Sequence, residues 1–332
     1  MKMAIAGAGM IVHDLFRFIH DVNGIELTAI ASTPKSIEKV KTLAEENGIP
    51  AYYADYDALL TDPNTEVMYV ATPNNLHYEM VKKALNKGLH VICEKPFTSN
   101  IEELEELRDL AKEKGLILLE AISTQYLPNA LKMKEMIEEI GDPKIVIANY
   151  SQYSSRYNAF KEGKVLPAFS PDFSGGALMD LNIYNIHLIT MLFGAPKEVT
   201  YAANIEKGID TSGIISLDYG NFKAVLVGAK DCKAPITTSI QGNKGAFIIE
   251  GPANVLPKFK LVLNDGTVTE YDLQEGTHRM FYEFEQFADI IDRKDYARAD
   301  AMMEKSLIAM DTATKARRSG NVVFPADEPY IS

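Results

Sequence analysis

MKMAIAGAGMIV, residues 1–12, is a short apolar run followed by two glycines one residue apart and the start of a segment with helical apolar spacing. Lys2 ahead of an apolar run is also how a secretory leader begins. His13, Asp14 and Arg17 interrupt the run early and no small-residue cleavage site follows, so a first β-strand is the better reading and a cytoplasmic protein is expected. Outward from there the strand-then-helix alternation repeats. A helix is expected from Ile11 to Val22, ELTAIAS (26–32) reads as a strand, and Ser36 to Asn47 as a helix ended by Gly48. VMYVAT (67–72) is a strand before a helix from Tyr78 to Asn86, and HVICEK (90–95) a strand before the charged amphipathic helix Ile101 to Lys114. LILLEA (116–121) is the last strand of the series. Strands alternating with helices of this length build parallel βαβ units with right-handed crossovers, which make an α/β fold with a doubly wound sheet of the Rossmann type.

The period changes after about Ser123. A helix from Pro128 to Ile140 leads into the long strand KIVIANYSQY (144–153), then a loop and one helix from Ile183 to Phe193. Glu198 to Leu273 holds about six strand-like runs, several joined by turn signals. Tyr219-Gly220-Asn221, Gln241-Gly242-Asn243 and Asn264-Asp265-Gly266 are the clearest, and they imply antiparallel hairpins. Two further helices are expected at Met280–Ile291 and Met302–Arg317. The chain therefore divides into a dinucleotide-binding domain, 1–122, and an α+β domain, 123–332, with a large, mainly antiparallel open sheet for substrate binding and oligomerisation.

Bulk properties agree with this plan. A length of 332 residues suits two domains, and 46% apolar with 24% charged residues suits packed cores. The net charge of −12 repels phosphate backbones, so no nucleic-acid partner is expected. No stretch approaches the roughly 20 apolar residues of a membrane span. Cys93 and Cys232 are far apart and lack ligand spacing, so neither a disulfide nor a metal site is expected.

Gly7-Ala8-Gly9 follows the first strand and opens the first helix. Glycine is needed there: the first permits the tight turn, and the second lets backbone N–H groups approach a pyrophosphate. Met10 and Ile11, which follow the two glycines, join Gly7 and Gly9 as expected cofactor contacts. The third position of that fingerprint is Val12. At the end of the second strand, where an NAD site places an acid against the ribose hydroxyls, the chain has Ser32-Thr33-Pro34-Lys35. Hydroxyls and an ammonium suit a 2′-phosphate, so NADP(H) is favoured over NAD(H). The other reading of Ser32, Thr33 and Lys35 is that they cap the helix starting near Ser36.

Two further segments follow strands. Ala71-Thr72-Pro73-Asn74-Asn75-Leu76-His77 comes after the fourth, and Glu94-Lys95-Pro96 after the fifth; Gly175-Gly176-Ala177-Leu178-Met179-Asp180-Leu181-Asn182-Ile183-Tyr184 lies in the second domain. With Gly7-x-Gly9, in this order and across nearly the whole chain, they resemble the Gfo/Idh/MocA oxidoreductase family, named for glucose–fructose oxidoreductase and inositol dehydrogenase. Tyr184 is most similar to the branch containing dimeric dihydrodiol dehydrogenase. The resemblance implies Lys95 and Tyr184 as the catalytic pair with Asp180 beside them, and it places Thr72, Pro73, Asn74, His77, Glu94 and Lys95 on the cofactor side. A cis Lys95–Pro96 bond is also expected. Asn74 has a second reading as a helix cap ahead of Tyr78, and His77 as a residue packed behind the site. Three positions depart from the family pattern: Val12 for a small residue, Asn182 for glycine, and His187 where many relatives have Asp.

The residues themselves agree with those roles. Lys95 sits at the carboxyl end of a parallel strand, where open α/β sheets bind ligands. The positive charge of an oxidised nicotinamide would lower its pKa, which suits a group handling a carbinol proton. Asp180, Tyr184 and His187, at i, i+4 and i+7, would share one helix face, with His187 reading the substrate. Arg156 and Tyr157 are further candidates for the substrate pocket, or else surface residues. The expected activity is hydride transfer between NAD(P)(H) and a secondary alcohol or carbonyl of a sugar, polyol or cyclic diol. Two alternatives stand beside it: a non-catalytic cofactor sensor, and a redox-assisted NAD-dependent glycosidase. An uncovered apolar face on the antiparallel sheet predicts a homodimer or dimer of dimers.

Overall fold

The computed structural model describes residues 1–274 and 276–330; Glu275 and the last two residues of the expected second domain lie outside them. The chain forms two compact units. In the first, β1 (Lys2–Ala6), α1 (Met10–Leu15), β2 (Glu26–Ala31), α2 (Ile37–Glu46), β3 (Ala51–Tyr53), α3 (Tyr56–Leu59), β4 (Val67–Val70), α4 (His77–Asn86), β5 (His90–Glu94), α5 (Ile101–Lys114) and β6 (Leu118–Ala121) alternate as strand and helix. All six strands are parallel, in the order β3-β2-β1-β4-β5-β6, which is the dinucleotide-binding order. Met3, Ala4, Ile5, Val67, Met68, Val91 and Ile92 are fully buried, as strands covered on both faces must be. The strand order reverses between β1 and β4. Residues just beyond Ala6, Val70 and Glu94 therefore border the crevice where such sheets take their ligands.

Three local features differ from the sequence expectation. The helix expected to reach Val22 stops at Leu15 and continues as irregular turns with a 3₁₀ turn at Ile19–Asp21. β3 and α3, between Ala51 and Leu59, had no periodic signal long enough to read. Residues 280–304 belong to the first unit, where Phe284 packs edge-on against Phe18 and Tyr69, with ring centroids 5.7 and 5.3 Å apart.

The second unit comprises residues 99–101, 122–279 and 305–330 of the described chain. It contains α6 (Pro128–Glu135), β7 (Pro143–Ser151), α7 (Tyr157–Lys161), α8 (Ile183–Phe193) and seven strands where about six were expected. These are β8 (Glu198–Glu206), β9 (Ile209–Asp218), β10 (Lys223–Ala229), β11 (Thr237–Gly242), β12 (Gly245–Glu250), β13 (Phe259–Leu263) and β14 (Val268–Tyr271). With β7 they form one sheet in the order β14-β13-β12-β11-β7-β10-β9-β8, antiparallel except for the pair β7/β10. The three turn signals join β9 to β10, β11 to β12 and β13 to β14 as hairpins. α9 (Phe281–Asp292) and the start of α10 (Tyr296–Ser319) lie in the first unit; α10 from Lys305 onward lies in the second.

Alternation along β7 separates the faces of this sheet. Val146 and Ala148 are fully buried, whereas Ile145 and Ile147 are 47% and 46% exposed. The buried face carries α8, whose residues from Ile183 to Leu192 are all buried. Asn182 and Asn185 pin this segment to β10, their Nδ2 atoms donating to the carbonyls of Leu226 and Val227 at 3.1 and 3.2 Å. A polar face solvated in water is therefore not what α8 presents.

Candidate active site residues in the two units

Gly7 closes the turn after β1 at φ +132°, and any Cβ there would collide with the carbonyl of Ala71 beyond β4. Gly9 is different: an added Cβ meets nothing within 4 Å, and no side chain caps the helix that follows. The first glycine thus serves the close approach of two strand ends, and the second leaves the turn open on its outer side. This is a fit for a pyrophosphate, which needs main-chain access more than side chains. Met10 is 68% exposed directly after it, and Val12 is fully buried in place of the family's small residue.

At the end of β2, Thr33 and Ser36 share a hydrogen bond between hydroxyls at 3.3 Å, and Thr33 and Lys35 are exposed. Residues 31–37 contain no carboxylate. Lys39, in the first turn of α2, donates from Nζ to the carbonyl of Ala8 in the glycine turn. Sequence reasoning missed Lys39; its i+4 spacing from Lys35 at the start of a helix was the available signal.

The loops after β4 and β5 are tied together by His77. Its ring is fully buried, with Nδ1 3.0 Å from the Pro96 carbonyl and Nε2 2.9 Å from that of Thr72. Burial holds the imidazole below its usual pKa, and the two carbonyls act in the opposite sense. His77 therefore ties the loop after β4 to the loop after β5. Glu94 is also buried, accepting from Tyr69 Oη at 2.6 Å, while Lys95 is half-buried between the buried Glu94 and Pro96. The Lys95–Pro96 peptide is cis. Asn74 begins a 3₁₀ turn that leads into α4.

In the second unit Asp180 lies in one wide π-type turn, Leu178–Asn182, immediately before α8. Such turns re-aim a side chain and recur at functional sites. The one-face spacing expected of Asp180, Tyr184 and His187 thus holds within α8 only for the latter two. Tyr184 is 5% exposed, its ring centroid 6.2 Å from that of Tyr150. His187 is 2% exposed and accepts at Nδ1 from Gln125 Nε2 at 3.2 Å. Tyr157 stacks in an aromatic group with Phe160 and Phe169 and donates to Glu206 at 2.6 Å, a bond that pushes its hydroxyl up to about 12. Arg156, the residue before α7, is half-buried.

The π-type turn is held from below. Asp210 is buried, accepts from Leu178 N at 2.7 Å and Tyr201 Oη at 2.8 Å, and burial pushes its carboxyl up to about 6. It lies against Gly176, whose φ of +102° and contact with Asp210 leave no room for a side chain. Lys230, directly after β10, places Nζ 2.7 Å from Asp180 Oδ2. Sequence reasoning missed this lysine; a charged residue ending a buried apolar strand was the signal.

Two family models match the chain, an oxidoreductase family model with an NAD-binding Rossmann fold over residues 1–122 and the GFO/IDH/MocA C-terminal domain over 130–248. The chain belongs to the Gfo/Idh/MocA family. It is 34% identical to the scyllo-inositol 2-dehydrogenase (NADP(+)) IolU of Bacillus subtilis, covering 99% of both chains. It is 29% identical to a D-xylose 1-dehydrogenase (NADP(+)) of Hypocrea jecorina, over 90% of this chain and 85% of that one. A solved structure of a 3-ketoreductase from Actinomadura kijaniata, in complex with NADP and TDP-benzene, has a TM-score of 0.83 at 22% identity. It covers 96% of this chain and 97% of that one. This Gfo/Idh/MocA protein is an NAD(P)-dependent oxidoreductase acting on CH–OH groups.

One departure from the family pattern has a visible compensation. Asn182, in place of glycine, stands against Gly228 of β10, where a Cβ would come within 2.7 Å of the Asn182 Cβ. Among the described residues no helix is long and apolar enough to cross a membrane.

Proposed function

We propose that this protein uses NADP(H) to interconvert a secondary alcohol and a carbonyl on a polyol, an aldose or a cyclic diol. The observation that carries the cofactor choice is the end of β2, where Ser32, Thr33, Lys35 and Lys39 gather and no carboxylate stands among residues 31–37. The inositol and xylose relatives named above are NADP-dependent, which supports the same choice and the substrate class.

NADP(+) supplies the hydride acceptor when bound. The chain's own groups bind, orient and move the proton. Gly7, Gly9, Met10 and Ile11 receive the pyrophosphate, while Thr72, Pro73 and Asn74 line the loop after β4. Lys95 and Tyr184 take the carbinol proton as the C–H bond gives up its hydride, leaving a carbonyl; Asp180 accepts a hydrogen bond from a substrate hydroxyl. Arg156 and His187 contribute to substrate recognition. Tyr157 bears on the pocket through its packing with Phe169. The test is a screen of inositols, aldoses and trans-dihydrodiols with NADP(+) and NAD(+), followed at 340 nm. Steady NADPH formation with at least one of them is expected, and no turnover with any of them would overturn the assignment.

Ser32→Asp should reverse the cofactor order. A charge-assisted phosphate contact is worth about 1.5–3 kcal/mol, so its replacement by repulsion should weaken NADP(+) roughly tenfold or more while NAD(+) gains. Equal NADP(+) and NAD(+) affinities in the wild type, measured by calorimetry, would remove the 2′-phosphate role.

The assembly proposed is a homodimer, or a dimer of dimers, through the open face of the eight-stranded sheet. Ile145 and Ile147 of β7 pair in register with Lys223 and Val225 of β10, and Ile214 of β9 lies beside Val227. Ile214 is 47% exposed, like the two β7 isoleucines, so the centre of the face is apolar. Lys223 with Asp218 and Lys260 with Glu250 flank it as ion pairs, so both signs of charge border a face that can be complementary to itself. Ile147→Lys should shift the sedimenting species to the 36.8 kDa monomer. A wild type already monomeric at micromolar concentration would exclude this interface. The cytoplasm is the proposed setting, since both cysteines are free thiols.

A further inference from the structure

Lys230 is 2% exposed and none of the assigned roles uses it. Burying an ammonium is costly unless it is paired and hydrogen-bonded. Its contacts include Asp180 Oδ2 at 2.7 Å, the Ala168 carbonyl at 2.5 Å, and the ring of Phe169, whose centroid is 4.3 Å away. Its main chain is fixed too, with N donating to Thr211 O and O accepting from Ser154 N, both at 2.8 Å. The pair is lopsided, because the lysine is buried while the Asp180 side chain is 36% exposed. A rigid cation thus stands behind a half-open carboxylate in a turn that Asp210 already anchors at Leu178.

We infer that Lys230 is a positioning residue for the reaction: its buried ammonium aims the Asp180 carboxylate and keeps it charged, so that Asp180 serves as a fixed acceptor for a substrate hydroxyl. This rests on the proposed role of Asp180 in the site. A carboxylate tied to a buried ammonium through one oxygen is held in orientation by that contact, and the positive charge beside it favours its ionised form. Proton transfer is then left to Lys95 and Tyr184, while Asp180 selects the hydroxyl's orientation. The same ammonium straps the segment at Ala168 and Phe169 to the π-type turn, so the lysine acts on the neighbourhood of Asp180 from two sides.

The test compares wild type with Lys230→Met, Asp180→Asn and the double variant as full chains. It reads single-turnover NADPH formation from a polyol or aldose that the wild type uses, the NADP(+) Kd, and the thermal midpoint. Lys230→Met should lower the hydride-transfer rate tenfold or more, with the NADP(+) Kd within twofold of wild type. Because the lysine acts through Asp180, the effects should not add: the double variant should fall within threefold of Asp180→Asn alone. A purely structural role would instead lower the midpoint and cost the same factor on both backgrounds. Additive losses, or a Lys230→Met variant with the wild-type rate, overturn the inference. If Lys230→Met alone does not fold, the double variant buries no unpaired charge, and a further tenfold loss relative to Asp180→Asn overturns it equally. A wild type inert on every polyol, aldose and diol overturns the functional assignment itself, which is a different result from an active wild type with an equally active Lys230→Met.

Discussion

Lys95→Ala should lower turnover by roughly 10²–10⁴-fold, the usual contribution of a positioned acid or base, and leave the NADP(+) Kd within a few-fold of wild type. The size of the effect follows from how little freedom the lysine has. On one side Glu94 is buried and bonded to Tyr69; on the other the carbonyls of Pro96 and Phe97 face the His77 ring at 3.0 Å and the Cys93 thiol at 3.7 Å. A backbone so fixed presents a half-buried side chain at the carboxyl end of β5, where the sheet's crevice lies. Removing that side chain leaves the strand and both loops as they were, so the loss should appear in kcat and kcat/KM together. Tyr184→Phe should follow the same pattern with an unchanged thermal midpoint, since one hydroxyl is removed and the ring's packing with Tyr150 is kept. Wild-type turnover in Lys95→Ala would exclude this lysine from proton transfer.

Gly7→Ala should be the most damaging small substitution in the first unit. The position holds φ +132°, and the new methyl would be driven into the Ala71 carbonyl, which is backbone and cannot step aside. Strain of this kind costs about 1–3 kcal/mol before any steric term, so a clear fall in the denaturant midpoint and loss of measurable NADP(+) binding are both expected. Gly9→Ala is the control. Its methyl meets nothing in the protein, so the midpoint should stay near that of wild type. NADP(+) should still weaken roughly tenfold or more, because the methyl occupies the approach to the main-chain donors. Equal stability losses in the two variants would mean that Gly9 serves the turn rather than the cofactor.

Much of the site on the first unit was legible because the signals are local. A glycine pair after a strand, a proline after a lysine, and an acid-free end to the second strand are each read within a few residues. Parallel order then brings their carboxyl ends to one edge. Which groups His77 would bond was not legible, since its two carbonyl partners lie 5 and 19 residues away in sequence. In the second unit the segment from Gly175 to Tyr184 could be recognised, but not the π-type turn within it. That turn depends on Asp210 drawing in the N–H of Leu178 from 32 residues away, and no periodicity records such a bond.

By itself the sequence determined most of the strands and helices, because 2- and 3.6-residue periods follow from local sterics and the removal of apolar surface from water; the short β3 and α3 and the end of the first helix at Leu15 fell below that signal. Its hairpin turns likewise set the pairings of β9 with β10, β11 with β12 and β13 with β14. Only the tertiary structure decided that β7 pairs in parallel with β10, that residues 280–304 return to the first unit, that Lys39 reaches the glycine turn, and that Lys230 stands behind Asp180. Each of these joins residues 31 or more positions apart. Such contacts become favourable only after the chain between them has been ordered and the surrounding surface buried, so their energy belongs to the packed whole, and a short window can mark a residue out but cannot name its partner.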